Sequence, residues 1–296
     1  MDFDPDGLPE PFRTRVLTYR NTLWMSENAV RDEDVRTYKY SHDFYWRPAA
    51  KFDKTAIDVL PLDTFVAVQK YRGKGKVACL NLADDSFPTG CAATGSGAQE
   101  ESLCYRSMLS RHLAMRHYPI RDGEALYSPG VIVMKDTEEN GFAQITPFFA
   151  HVISCPGVRH PTLRDGRMTQ MDIDRLRVKI ETILQLAERE NVATLVLGAL
   201  GCGAWKNPAI DVACAFKEAL DRFAGVFRRV VFAVKPPAKD MYMGQPAPCR
   251  DAVASDSALR FAPWGTERPG ASNTVQDGNF ETFRSVLSGD PGESAA

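Results

Sequence analysis

The sequence predicts an α/β protein built around one central sheet. Three observations lead there. Strand and helix patterns alternate from Ile57 to Val234, and the order strand, glycine-bearing loop, helix occurs twice. Two of the strand segments, Val77 to Leu82 and Ala193 to Leu197, are continuous apolar runs of the kind buried on both faces of a sheet.

The first of the two units organises the chain. Val77 to Leu82 reads as a buried strand, Phe87 to Ala98 as a loop of small residues, and Gln99-Glu100-Glu101 as the opening of a helix. A small-residue loop feeding a helix N-terminus presents amide N–H groups to an anionic ligand. Adjacent helical residues point about 100° apart, so Glu100 and Glu101 cannot do the same job. One can hold a ligand while the other moves a proton. An ordinary acidic first turn is the bland alternative.

Ahead of this unit, residues 1–54 read as an accessory segment with one helix over Arg13 to Val30. The aromatic-charged stretch TYKYSHDFYW follows, and it either packs the segment onto the core or lines a nucleotide site. Ile57 to Leu60 reads as a strand, Leu62 to Tyr71 as a short helix or a second strand, and Arg72 to Lys76 as a basic turn.

After the glutamates, Leu103, Cys104, Met108, Leu109 and Leu113 fall on one side of a helix. Strands are expected near Val131–Met134 and Ala150–Cys155, the second stopped by Pro156-Gly157. Arg159, His160 and Arg164 then lie in a polar loop that is either solvated or phosphate-binding. Residues 172–190 carry the clearest amphipathic helix, with Ile173, Leu176, Ile180, Ile183, Leu184 and Ala187 at spacings of three and four.

The second unit runs from Ala193-Thr194-Leu195-Val196-Leu197 through Gly198 to Trp205 into a helix. There Asn207 is expected as N-cap and Pro208 as first helical residue. Ile210, Ala213, Phe216, Leu220 and Phe223 are expected to be buried. Arg229 to Val234 is a last strand. Residues 237–279 are rich in Pro, Gly, Ser, Ala and Asp without periodicity, and Phe280, Phe283 and Leu287 suggest a terminal helix.

Composition bounds the function class. Of 296 residues, 44% are hydrophobic and 25% charged, which suits an ordinary globular protein. The 36 basic and 38 acidic residues give a net charge of −2, so no overall positive field draws in DNA or another polyanion, and direct DNA binding is not expected. An odd count of seven cysteines with no Cys-x-x-Cys pair suggests reduced thiols, and no set of ligands is spaced for a metal. The acidic N-terminus lacks the basic and apolar regions of a signal peptide, and no run is long enough to span a bilayer. The expectation is a cytoplasmic or nuclear monomer with no membrane partner.

The residues around the first loop resemble the microbial-type poly(ADP-ribose) glycohydrolases, macrodomain-like proteins with a triple-glycine loop and a Gln-Glu-Glu signature. The family pattern reads Asn-Phe-Ala, then Pro-Gly-Gly-Gly, seven residues and Gln-Glu-Glu. This chain has Asn81-Leu82-Ala83, Pro88-Thr89-Gly90-Cys91, seven residues and Gln99-Glu100-Glu101. Leu126 to Val133, Val152 to Pro156 and Leu195 to Asn207 extend the resemblance in order over about residues 55–236. Two loop glycines are replaced, by Thr89 and Cys91, and a β-branched threonine tolerates positive φ poorly.

The resemblance implies a three-layer α/β/α macrodomain-like fold with a mixed sheet over 55–236, flanked by the N-terminal helical segment and a polar C-terminal extension over 237–296. It implies hydrolysis of a ribose–ribose O-glycosidic bond in poly(ADP-ribose), with no cofactor. Glu101 then matches the catalytic acid and Glu100 the carboxylate that holds ribose hydroxyls. ADP-ribose contacts would come from Asn81, Thr89, Gly90, Cys91 and Gln99, and from Gly198, Gly201, Cys202, Gly203, Ala204 and Trp205. The two loops would grip one pyrophosphate from both sides.

Several alternatives stay open within that frame. Gln99 bonds either the ligand or its own helix; Trp205 covers a ribose or adenine face or packs under its loop; Asp63 is an adenine contact or a helix N-cap. A helix N-terminus lowers a carboxyl pKa, so Glu101 is expected to be poised as an acid only when substrate fills the site. The altered loop also admits an ADP-ribose reader module, or a hydrolase of mono-ADP-ribosyl adducts.

Overall fold

The computed structural model describes residues 5–235 and 278–288. In chain order the elements are α1 (Phe12–Ala29), β1 (Tyr38–Ser41), β2 (Ala56–Leu60), α2 (Thr64–Tyr71), β3 (Val77–Leu82), α3 (Gln99–Arg106), α4 (Leu109–His112), β4 (Glu124–Lys135) and β5 (Gln144–Cys155). There follow a two-stranded ribbon of β6 (Leu163–Arg164) and β7 (Arg167–Met168), then α5 (Gln170–Arg189), β8 (Thr194–Leu197), α6 (Ala209–Arg222), β9 (Arg229–Ala233) and α7 (Asn279–Ser288).

Seven strands form one mixed sheet in the order β1-β4-β5-β3-β8-β9-β2. β5, β3, β8, β9 and β2 run parallel, while β1, β4 and β5 pair antiparallel. Helices cover both faces, as a parallel sheet requires. Leu80, Ile153, Leu195 and Val230 point into a core with α5, α6 and α7. Cys79, Val152, Val196 and Val231 alternate to the other face, with Phe65, Leu103 and Tyr105. β3 and β8 are neighbours and parallel, so their two loops leave one edge of the sheet side by side.

Several expectations sharpen. Of Leu62 to Tyr71, Thr64–Tyr71 is a helix, because Asp63 caps it by accepting from Phe65 N (2.9 Å) and Val66 N (3.2 Å). The same oxygen, Oδ1, takes a 2.7 Å bond from buried Arg106, so Asp63 serves as a structural cap. β4 begins well before Val131, because a bulge between Ser128 and Val131 carries Pro129 and Gly130 without ending the strand. The aromatic-charged stretch contributes edge strand β1, whose Tyr40 is buried against the core.

Three expectations fail. The helix after the glutamates breaks at Ser107, whose extended backbone bridges Val133, so α3 and α4 are separate. Pro208, not Asn207, sits at the N-cap of α6, because the Asn207 amide is drawn to the Val158 backbone. Ile210 is exposed, since the buried stripe of α6 begins at Ala209 and Val212 instead. The stretch 237–279 lies outside the described residues up to Gly278, whereas Phe280, Phe283 and Leu287 do form α7, with Phe283 fully buried beside Phe232. None of the described helices is long and apolar enough to cross a membrane.

Lys135, at the end of β4, is 3% exposed and donates to the Thr18 carbonyl of α1. Burial pushes its pKa down to about 8. Between that value and the ordinary lysine value of about 10.4 the unfolded chain binds more protons, so stability contributed by this site rises with pH over that window. Lys135→Met is therefore expected to raise stability at pH 7 by about 1–3 kcal/mol and to remove that rise, as read by urea unfolding between pH 7 and 10.

Candidate functional site

The site is built at the C-terminal end of β3. Asn81 is the last buried polar residue of the strand and stands in register with Ser154 of β5. Its Nδ2 donates to Ser154 Oγ and to Glu100 Oε1, at 3.1 Å each. The Asp84 backbone N–H donates to Glu100 Oε2 at 2.8 Å, so both oxygens of Glu100 are held from the strand end. One helical step round, Glu101 faces the glycine loop, where the Cys91 N–H donates to its Oε1 at 2.8 Å. The 100° offset thus sends the two carboxylates to different partners.

Both glutamates are buried, at 3% and 5% exposure. Burial pushes Glu100 well above the ordinary carboxyl range, and the neighbouring Glu101 charge adds to the effect. Burial also raises Glu101, against the Cys91 hydrogen bond that lowers it. Burial by the protein itself thus already works against the helix terminus, before any substrate adds to it. Glu101 Oε2 and Asn81 Oδ1 are buried with no hydrogen-bond partner. An unpartnered carboxyl oxygen of raised pKa is where a transferable proton can reside.

The altered loop resolves residue by residue. Gly90 has φ +52°, and a Cβ there would lie 2.5 Å from Glu101 Oε1, so a side chain here would be strained and would displace the Glu101 carboxylate. Thr89 has φ +67°, a left-handed conformation for a β-branched residue. Cys91 has φ −105°, which any residue adopts, so only one of the two replaced glycines costs backbone energy. Cys91 is in no disulfide and contributes its amide to Glu101.

Helix α1 grips this loop from outside. A Cβ on Gly95 would meet the Phe12 carbonyl at 2.6 Å, so helix and loop backbones touch directly. Buried Arg15 donates to the Gly95 carbonyl and makes a two-point ion pair with Glu138, at 2.8 and 3.0 Å. Thr22 donates to the Tyr105 carbonyl, and Tyr105 in turn donates to the Ser96 carbonyl.

The Gln99 side chain does not turn back to bond its own helix. Its Oε1 accepts from Leu82 N, and its Nε2 donates to the Leu80 carbonyl and to Thr64 Oγ1. The amide thereby ties α3 to β3 and α2.

The second loop, Gly198 to Trp205, lies beside the first. Gly201 has φ +74°, and a Cβ on Gly157 would stand 2.7 Å from Gly201 Cα. The loops after β5 and β8 therefore meet backbone to backbone. Asn207 stitches them further, accepting from Val158 N and donating to its carbonyl. Gly198 and Cys202 are buried, Cys202 with its thiol toward the Leu200 carbonyl, while Gly203 and Ala204 are exposed. Trp205 is half-buried under the Arg159 guanidinium, which sits 4.6 Å from its ring centroid.

Arg159 is the residue that sequence reasoning underrated. It donates to Asp84 Oδ2 at 2.8 Å and to both oxygens of Asp85. Burial alone would raise the Asp85 carboxyl, but the bonds from Arg159 and Ser86 outweigh it and leave the group below the usual range. A continuous path thus runs from Trp205 through Arg159 and Asp84 to Glu100. The available signal was the Asp84-Asp85 pair directly after the central strand. Tyr118 was also missed: its hydroxyl is buried without a partner, and burial followed by the Glu100 charge keeps it protonated. Among the described residues no group of three His, Cys, Asp or Glu side chains is gathered as for a metal.

Residues 21–136 match the family model described as microbial-type PARG, catalytic domain. Curated proteins give no match. Among solved structures, poly(ADP-ribose) glycohydrolase (PARG) from Thermomonospora curvata is 27% identical over 77% of this chain and 96% of that one, with a TM-score of 0.65. The same enzyme bound to the inhibitor ADP-HPD is 26% identical, covering 81% of this chain and 98% of that one at a TM-score of 0.64. The Deinococcus radiodurans enzyme in complex with ADP-ribose is 22% identical over 87% and 96%, at 0.62, a likeness of fold.

Two outcomes test the site's energetics. Thr89→Gly is expected to raise stability by about 1 kcal/mol by relieving the left-handed threonine, measured by urea unfolding. Glu100 has a folded pKa raised above its unfolded value. The stability it contributes is therefore full below about pH 4.5 and lost as pH rises through the folded pKa. The stability of wild type relative to Glu100→Gln should accordingly fall as pH rises above about 4.5, and a flat difference would contradict the assignment.

Proposed function

We propose that this chain, a member of the microbial-type poly(ADP-ribose) glycohydrolase family, hydrolyses the ribose–ribose O-glycosidic bond of poly(ADP-ribose). The observation that carries the proposal is the buried Glu100–Glu101 pair, whose two carboxylates have different partners and whose Glu101 retains a buried oxygen with no hydrogen-bond partner.

The reaction needs a proton for the departing oxygen, support for an oxocarbenium-like centre, and a positioned water. Glu101 donates the proton, and burial raises its carboxyl above the usual range, toward the acid form that this step needs. Glu100, held in place by Asn81 and Asp84, accepts from the ribose hydroxyls as these bonds exchange. As charge develops at the anomeric carbon, the Glu101 carboxylate left by proton donation supplies the negative charge that stabilises it. Once Glu101 has released its proton it accepts one from the attacking water.

Binding falls to backbone more than to side chains. Gly90 gives the ribose its closest approach to the carboxylates, flanked by Thr89 and Cys91. Gly201, Gly203 and Ala204 offer amides to the pyrophosphate, with Gly198 and Cys202 shaping that turn from beneath and Trp205 closing the rim. A pure ADP-ribose reader would need no proton donor, and burying two adjacent carboxylates would then cost stability with no return.

In this reading residues 55–236 form the catalytic domain and 237–296 a C-terminal extension that supplies α7. The segment 1–54 holds the glycine loop in position through Phe12 and Arg15.

Glu101→Gln is expected to lower ADP-ribose release from poly(ADP-ribosyl)ated protein by about 10²–10⁴-fold, with ADP-ribose affinity by calorimetry within a few-fold of wild type. Full turnover by the variant would remove Glu101 from the role of acid. Turnover lost by wild type and variant alike, with ADP-ribose still bound, would instead favour a reader.

A further inference from the structure

Both carboxylates of the site are held by amides of one short segment, the Asp84 N–H for Glu100 and the Cys91 N–H for Glu101. The Asp84 side chain shapes the start of that segment, because its Oδ1 accepts from Ser86 N at 2.8 Å and from Phe87 N at 3.0 Å. Any drift of Asp84 therefore moves the amide that orients Glu100.

Arg159 holds Asp84 from outside the segment. Its Nη2 donates to Asp84 Oδ2 at 2.8 Å, and its Nη2 and Nε meet the two oxygens of Asp85 at 2.6 and 2.9 Å. A guanidinium fork of this kind fixes geometry as well as charge. The arginine itself leaves from a pinned backbone. Gly157 abuts Gly201, and Val158 engages Asn207 through both its N–H and its carbonyl. The guanidinium also lies over the Trp205 ring on the loop after β8. A lone surface ion pair is worth little, but this one cation ties together the loops after β3, β5 and β8.

Charge gives Arg159 a second task. Burial and the Glu101 charge raise Glu100; the Asp84 amide opposes them, and the Asp84 carboxylate reinforces them. The Asp84 charge likewise adds to the burial that raises Glu101, against the Cys91 amide. The other ionisable groups bearing on the pair are Arg15 and Tyr19 of α1, Cys104 and Tyr105 of α3, and Tyr118. Burial keeps the thiol and the three phenols protonated, and Arg15 is paired with Glu138. Asp84 is thus the carboxylate beyond the pair itself that acts on both glutamates, and Arg159 is its counter-charge.

Building on the glycohydrolase reading, we propose that Arg159 is a positioning residue: its fork fixes the turn that presents the Asp84 amide to Glu100, and its charge shields both glutamates from the Asp84 carboxylate.

The test separates fork from charge in the full chain, with thermal melting as the check on folding. Arg159→Met should lower kcat on poly(ADP-ribose) about tenfold, with KM and calorimetric ADP-ribose affinity within a few-fold of wild type. It should also move the pH profile of kcat/KM to higher pH, because the bare Asp84 charge disfavours ionisation of both glutamates. Arg159→Lys keeps the charge without the fork, so its profile should stay in place while kcat is reduced. Arg159→Met/Asp84→Asn should return the profile toward wild type, since the charge is gone while Oδ1 still accepts from Ser86 and Phe87. Wild-type kcat in Arg159→Met, a loss confined to KM, or a profile moved equally in Arg159→Met and Arg159→Lys would each overturn the proposal. If Arg159→Met does not fold, Arg159→Lys decides: reduced kcat with an unmoved profile supports the proposal, and wild-type kcat overturns it. Wild type inactive on the polymer would overturn the glycohydrolase reading instead. The Glu100 titration, followed by ¹³C NMR of glutamate-labelled protein and assigned with Glu100→Gln, needs no turnover; moved upward in Arg159→Met it would still support the shielding, and unmoved it would overturn it.

Discussion

The burial of two adjacent carboxylates at one helix start is the constraint on which the rest of this site depends. Desolvating a charged group is costly unless hydrogen bonds replace its water. Here the bonded donors are neutral: the Asn81 amide, the Asp84 N–H and the Cys91 N–H. Neutral donors orient a carboxyl without pinning it in its ionised form, which an arginine in the same place would do. That choice fixes the surroundings. Asn81 must end a fully buried strand, Gly90 must leave room for the Glu101 carboxylate, and the loop carrying the Cys91 amide must be stiff. The stiffness comes from α1, through the contact of Phe12 with Gly95 and the Arg15 bond to its carbonyl.

Much of this was legible in the sequence, for identifiable reasons. The continuous apolar runs of β3 and β8 declare strands buried on both faces, and α5 shows its stripe by spacing alone. The glutamates were legible because they follow a strand and a small-residue loop. The left-handed conformation at Thr89 was legible as a conflict, since glycine would suit that position better.

What stayed hidden depends on contacts between distant segments. Gln99 directly precedes two glutamates, while its partners lie back on β3 and α2. Asn207 carried the local signature of a cap, but a pair of backbone bonds to Val158 outcompeted it. Arg159 looked like a loop residue because nothing local shows that Asp84, Asp85 and Trp205 converge on it. In each case a polar side chain had an unremarkable neighbourhood in the chain and a demanding one in space.

The meeting of Gly157 and Gly201 has an evolutionary corollary. Two loops joined through bare backbone hold their spacing without help from side chains, so substitutions in the surrounding layers can accumulate without altering the width of the groove between them. The same contact leaves no gradual route away from glycine at Gly157, because the smallest step, to alanine, already drives a methyl group into the opposite chain. Such a hinge point confers tolerance on its surroundings while having none itself.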